Sequence, residues 1–84
     1  MKADQTQVMR YLKTVRGQID GIIKMVEDDR YCIDISHQIL ASQALLKKTN
    51  QAILTAHLRH CVLESRDDED KIEEMVDMIA ALLK

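Results

Sequence analysis

Three side chains in this sequence have the right chemistry to act together: Cys32, His57 and Cys61. His57 and Cys61 stand four residues apart, a spacing that on a helix puts both on one face within reach of a single metal ion. Two thiolates and one imidazole make a soft set of few donors. Soft thiolates select copper(I), and zinc is the main competitor. Zinc prefers a fourth ligand, and the sequence offers none clearly: His60 points about 100° away from Cys61 on the helical wheel, and His37 is distant from both. A plainer reading stands beside this one. A free cysteine is often a small buried hydrophobe, and a histidine on a helix is often only a hydrogen-bonding neighbour.

The elements that must carry these residues are helices. The chain of 84 residues holds no proline, phenylalanine or tryptophan and only two glycines, so the usual helix breakers are missing. A first helix is expected from about Asp4 to Glu27. There Val8, Leu12, Val15, Ile19, Ile22 and Val26 alternate by fours and threes, as in a coiled-coil seam. Gly17 and Gly21 fall roughly opposite and suit a close approach by another element or a hinge. Asp28-Asp29-Arg30 is the expected corner. The second helix runs from Tyr31 or Cys32 to about Glu64. A second corner spans Ser65 to Asp70, with Ser65, Asp67 and Asp68 as candidate caps. The third helix runs from about Glu69 to Leu83, with Ile72, Met75, Val76, Ile79, Leu82 and Leu83 on its apolar face. One domain, residues 1–84, is expected from this length.

The long second helix creates a problem of reach. At about 1.5 Å per residue, Cys32 would sit about 37 Å from His57 along the axis. It cannot join His57 and Cys61 within one chain. It can across an antiparallel pair, where the start of one helix lies beside the end of the other. A helix of some 50 Å also exceeds a compact domain of this size, roughly 25–30 Å across, so a dimer or larger assembly is expected to bury it.

Net charge is −2, from 12 basic and 14 acidic residues. The distribution is uneven. Residues 1–60 carry nine Lys and Arg against six Asp and Glu, and residues 61–84 carry three against eight. A basic body with an acidic end keeps nucleic-acid binding open. Arg10, Lys13 and Lys24 cluster within about 60° on the first helix, opposite its apolar seam. Lys48 and Arg59 share a face of the second, about 180° from His57. Such stripes can meet phosphates without reading sequence, or can be solvated surface only. No helix-turn-helix or zinc-finger spacing is present. No run is long and apolar enough to span a membrane, and Met1-Lys2-Ala3-Asp4-Gln5 lacks the apolar core of a signal peptide. A cytoplasmic location is expected, where cysteines are reduced ligands or redox groups rather than structural disulfides. Catalysis is not expected. There is no nucleophile paired with a base, no glycine-rich phosphate loop and no open-site metal triad, so no small-molecule substrate is anticipated.

The set of Cys32, His57 and Cys61 resembles the ligand fingerprint of the copper-sensitive operon repressor (CsoR/RcnR) family. Val15-Arg16-Gly17-Gln18-Ile19-Asp20-Gly21-Ile22-Ile23 resembles that family's first helix, and Asp29-Arg30-Tyr31-Cys32 its first corner. Gln38-Ile39-Leu40-Ala41 and His57-Leu58-Arg59-His60-Cys61-Val62 resemble its second helix. The resemblance covers nearly the whole chain.

It implies an all-α fold, with a three-helix protomer, an antiparallel four-helix dimer and a dimer of dimers. It implies a repressor that binds operator DNA without metal and releases it when copper(I) binds, freeing copper-resistance genes. The Cys-His-Cys pattern resembles the copper(I) branch. A persulfide- or redox-sensing relative using Cys32 and Cys61 is the alternative, and His57 argues against it. The resemblance also implies groups that hold the second nitrogen of the ligating imidazole: Tyr31, and a third-helix carboxylate matched by Asp77, or by Glu73 or Glu74. It places Lys48 at a DNA-contacting position and adds Arg16 to the candidate contacts. Tyr11 and Thr14 stand where relatives often carry Arg.

Overall fold

A computed structural model describes the backbone of residues 1–63 and 69–84 and the side chains of residues 1–60 and 70–84. It contains three helices: α1, Gln5–Glu27; α2, Cys32–Leu63; and α3, Glu69–Leu82. No strand occurs among the described residues. The expected helices are all present, with ends shifted by about one residue. Ser65, Asp67 and Asp68, the expected caps of α3, lie outside the described residues.

Local chemistry fixes the ends of α1. Asp4 is its N-cap, and one carboxylate oxygen accepts from the Thr6 and Gln7 amides at 3.0 and 3.4 Å. That satisfies two of the donors a helix start leaves open. At the other end, Arg30 N–H donates to the Met25 carbonyl and Asp29 N–H to the Val26 carbonyl. This is the Schellman closure, and it needs a left-handed residue at the turn. Asp29 supplies it, with φ of 52°. Asp tolerates that region better than most residues, but glycine tolerates it without cost. Lys24 also sits in this last turn, 3.8 Å from Asp28.

The α1–α2 hairpin is antiparallel, and two cross-helix pairs fix its register. Ser42 Oγ donates to Gln18 Oε1 at 2.9 Å, and the Lys48 ammonium lies 5.3 Å from the Tyr11 ring centre. This register sets Val15 level with Leu45 and Val8 level with Ala52. Val8 and Val15 are the buried apolar residues of α1, at 4% and 3% exposure. Tyr11, Gln18, Ile22 and Met25 are half-buried around them. The inner line of α1 is therefore Val8, Tyr11, Val15, Gln18, Ile22 and Met25. The single seam expected from the sequence is split. Leu12, Ile19 and Val26 turn away from α2 and are exposed. The facing line of α2 mixes polar and apolar residues, with Ser42 and Thr49 buried and Ile35 and Leu45 half-buried. The Thr49 hydroxyl donates to its own helix at the Leu45 carbonyl, 2.7 Å away.

Nothing in the protomer approaches Gly17 or Gly21: an added Cβ at either would meet no atom within 4 Å. A close approach from within the chain is thus not found, and each glycine weakens an exposed helix by about 1 kcal/mol relative to alanine. α3 rests on the end of α2 over a cavity of about 120 Å³ lined by Leu54, Leu58, Met75, Ile79 and Leu82.

One protomer lacks a core sufficient for its length. It measures 53 × 27 × 13 Å with a radius of gyration of 16.7 Å, against about 12 Å for a compact chain of this size. Its accessible surface is 6623 Å², where a compact 9.7 kDa protein shows about 5,100 Å². The excess, roughly 1,500 Å², is of the order each subunit buries in a substantial protein interface.

Asp29→Gly should stabilise the protein by up to about 1 kcal/mol by relieving the left-handed turn, and Asp29→Val should destabilise it by about 1–2 kcal/mol. Thermal unfolding at one fixed protein concentration measures both. A glycine variant no more stable than the parent would show that the turn carries no such strain.

Candidate metal centre and basic face

Cys32 is the first residue of α2 and is exposed. The Tyr31 carbonyl accepts the first bond of that helix, from Ile35 N–H at 3.2 Å, so the corner residue holds the helix start while it remains 66% exposed as a whole. His57 is exposed 25 positions later on the same helix. Cys61 follows within α2, and its side chain lies outside the described residues. As expected, the helix separates Cys32 from His57 by about 37 Å of axis. Among the described residues, no three His, Cys, Asp or Glu side chains converge within one protomer.

The two ligand positions and the apolar residues of α2 share a side. Counting about 100° per residue, Cys32, His57 and Cys61 fall within about 40° of one another. Ile39 and Leu46 belong to the same stripe, and both are exposed. The stripe lies about 90° from the line facing α1. On α1, Leu12, Ile19 and Val26 are displaced from the inner line by a similar angle in the same sense. Because the two helices run in opposite directions, equal rotations bring both stripes to one side of the hairpin. That side is an uncovered apolar surface with Cys32 near one end and His57 near the other.

The basic residues lie elsewhere. Lys48 and Arg59 are about 180° from His57, and with Arg10 they line the opposite side of the hairpin. All three are exposed. Lys13 and Lys24 lie at its outer edge, where Lys24 pairs with Asp28. Both members of that pair are largely in solvent, so the attraction is weak and leaves the lysine available. Arg16 is about 120° from Arg10, beside the apolar stripe, and stands apart from the other cations. Glu73, Glu74 and Asp77 are exposed on α3. His37 is exposed and His60 half-buried.

One residue at the basic side had no assigned role in the sequence beyond an exchanged charge. Tyr11 sits on the inner line of α1. Its hydroxyl accepts from Gln7 Nε2 at 3.2 Å. The Arg10 guanidinium carbon lies 5.8 Å and the Lys48 ammonium 5.3 Å from its ring centre. Both are within cation–π range, worth about 0.5–1 kcal/mol each at an exposed site. The helical spacing of Gln7, Tyr11 and Arg10 is visible in sequence. The approach of Lys48 depends on the hairpin register and is not.

The donor set suits a soft metal. Thiolates with an imidazole favour copper(I), whereas nickel(II) favours tetragonal nitrogen and oxygen sites. A model of the metal-sensitive transcriptional repressor family matches residues 4–81. The copper-sensing transcriptional repressor CsoR of Bacillus subtilis is 40% identical over 84 residues, covering 96% of this chain and 83% of that protein. The crystal structure of the copper-sensing repressor CsoR with Cu(I) from Geobacillus thermodenitrificans superimposes with a TM-score of 0.81 at 40% identity, covering 94% of this chain and 85% of that one. The nickel-responsive transcriptional regulator InrS shares the fold at 23% identity and a TM-score of 0.74, covering 99% and 92%. No described helix is long and apolar enough to cross a membrane. The all-α fold and the extent of these matches carry one conclusion: the chain belongs to the metal-sensitive transcriptional repressor family, whose members regulate genes rather than catalyse reactions.

Proposed function

We propose that this protein is a cytoplasmic copper(I)-responsive repressor, in which Cys32 of one protomer and His57 and Cys61 of another hold the metal. One observation carries the reading. Cys32 and His57 lie on the same uncovered stripe of α2 as Ile39 and Leu46, so whatever covers the apolar residues also covers the ligands. A second copy of α2, antiparallel, is the natural cover. A register that sets Cys32 level with the segment between His57 and Cys61 also sets Leu46 across from its own copy and Ile39 across from Ile53. Apolar pairing and ligand pairing thus agree within about one residue. Leu12, Ile19 and Val26 of α1 extend the same surface, giving a four-helix dimer, and two dimers would complete a tetramer.

When bound, copper(I) supplies a soft centre that ties the three donors together. The chain's own residues do the rest. Cys32 and its partner ligands would fix the crossing of two rods, and Tyr31, beside Cys32, with Asp77, Glu73 or Glu74 on α3, would hold the second nitrogen of His57. The cations on the opposite side, Arg10, Lys48 and Arg59, with Lys13 and Lys24 at the outer edge, bind operator phosphates in the metal-free form. The metal weakens DNA binding only if the metal-bound arrangement fits DNA less well, and DNA then weakens metal binding by the same factor. A purely thiol-based persulfide response through Cys32 and Cys61 would leave His57 without a role, and the similarity to copper-sensing repressors does not favour it.

Anaerobic loading should give one copper(I) per protomer, with X-ray absorption reporting two sulfur neighbours and one nitrogen. Saturating copper(I) should lower operator affinity by about 5- to 150-fold. His57→Ala should abolish that change while keeping metal-free DNA binding. An unaltered DNA affinity at full copper occupancy would defeat the proposal, and a full response of the alanine variant to persulfide would favour the thiol reading. Leu46→Glu should weaken dimerisation by on the order of a hundredfold or more, because two carboxylates would meet at the centre of an apolar surface. Sedimentation over a dilution series measures it, and an unchanged dimer would refute the register.

A further inference from the structure

We propose that Tyr11 is a positioning residue for nucleic-acid binding: its ring gathers Arg10 of α1 and Lys48 of α2 into one cationic patch for the phosphate backbone of duplex DNA. This rests on the repressor reading above. The ring is half-buried on the inner line of the hairpin and is anchored by the Gln7 side chain at 3.2 Å. It is therefore a fixed point, unlike the two long side chains around it. Lys48 at 5.3 Å and Arg10 at 5.8 Å from the ring centre approach it from different helices. Neither is paired with a carboxylate among the described residues. A carboxylate here would hold both cations but neutralise them. A phenol ring holds them through its quadrupole and leaves their full charge to an incoming anion. It also reduces the freedom that long cationic side chains lose when they bind, so less of the attraction is spent on ordering them.

The patch lies along the flank of the hairpin, with no side chain arranged to read base edges. Its partner is the phosphate backbone, which sets affinity and salt dependence rather than sequence choice. The tyrosine would thus do by organisation what an additional arginine would do by charge.

The test uses the full-length metal-free protein and a duplex enriched by the wild-type chain from a random pool. Tyr11→Leu should bind that duplex about three- to tenfold more weakly, and the dependence of affinity on salt should become less steep by about one for each phosphate that Lys48 no longer neutralises. Tyr11→Phe keeps the ring and should retain most of the affinity and the wild-type salt slope. Lys48→Ala should weaken binding too, but Tyr11→Leu combined with it should add little, because both act on the same ammonium–phosphate pair. Lys13→Ala, away from the ring, should combine with Tyr11→Leu multiplicatively. Circular dichroism and sedimentation confirm that each variant folds and assembles. If wild type binds the duplex and Tyr11→Leu binds equally well, or if its effect multiplies in full with that of Lys48→Ala, the role of Tyr11 is overturned alone. If the wild-type chain enriches no duplex, the repressor reading fails and takes this inference with it.

Discussion

The rigidity of α2 is the constraint from which the other features follow. Its 32 residues contain no proline and no glycine, so it has no kink of the proline or glycine kind. A rod about 48 Å long cannot fold back on itself, and α1 and α3 cover only part of it. One side therefore stays bare in the single chain. The bare side explains the large accessible surface, the extended shape and the scarcity of buried apolar residues. Val8 and Val15 alone form the buried apolar set among the described residues. At about 25 cal/mol per Å², burying the excess surface, if largely apolar, would yield on the order of tens of kcal/mol before ordering costs. In the proposed dimer, association would thus be part of folding for this chain.

The hairpin has two sides with different chemistry. On one, Leu12, Ile19, Val26, Ile39 and Leu46 form an apolar surface flanked by the thiol and imidazole donors. On the other, Arg10, Lys48 and Arg59 present charge to solvent. Between them runs a thin interior in which Val8 and Val15 are buried alongside Ser42 and Thr49, and where Ser42 binds Gln18 and Thr49 binds its own backbone. Such an interior gives modest hydrophobic stabilisation. Its advantage is specificity: the Ser42–Gln18 bond is satisfied in one register only, and a shift would leave buried polar groups unpaired at a cost of about 1–3 kcal/mol. The register that satisfies this bond is also the one that brings Lys48 to Tyr11.

Much of this was legible in the sequence. The absence of breakers implied three helices and nearly their limits, and the spacing of Cys32 and His57 implied that one long helix holds them apart. What periodicity did not show was that α1 has two apolar faces. Val8, Leu12, Val15, Ile19, Ile22 and Val26 read as one stripe because adjacent lines on a helix share the same alternation of threes and fours. Only the position of α2 separates Val8 and Val15 from Leu12, Ile19 and Val26. The same holds for Tyr11. Read in one dimension it is a missing arginine; set against α2, it is a platform shared by two cations. Arg16 shows the converse, since it belongs to the family-like segment in sequence but lies beside the apolar stripe in space.

The back-to-back placement of donors and cations has a mechanical consequence for the proposed switch. DNA phosphates present charge at spacings set by the duplex, so the basic sides of several protomers must match those spacings together to engage it. Each basic side is fixed to a stiff hairpin, and in the proposed dimer the hairpins would meet through the surface that carries Cys32 and His57. A small change in how two α2 rods cross at that surface is carried to the far ends of rods about 48 Å long. A few degrees of rotation displace a charge there by an ångström or more. The attraction between a cation and a phosphate weakens over similar distances, and several such pairs weaken together. A stiff lever with donors on one side and cations on the other thus needs no flexible relay between them.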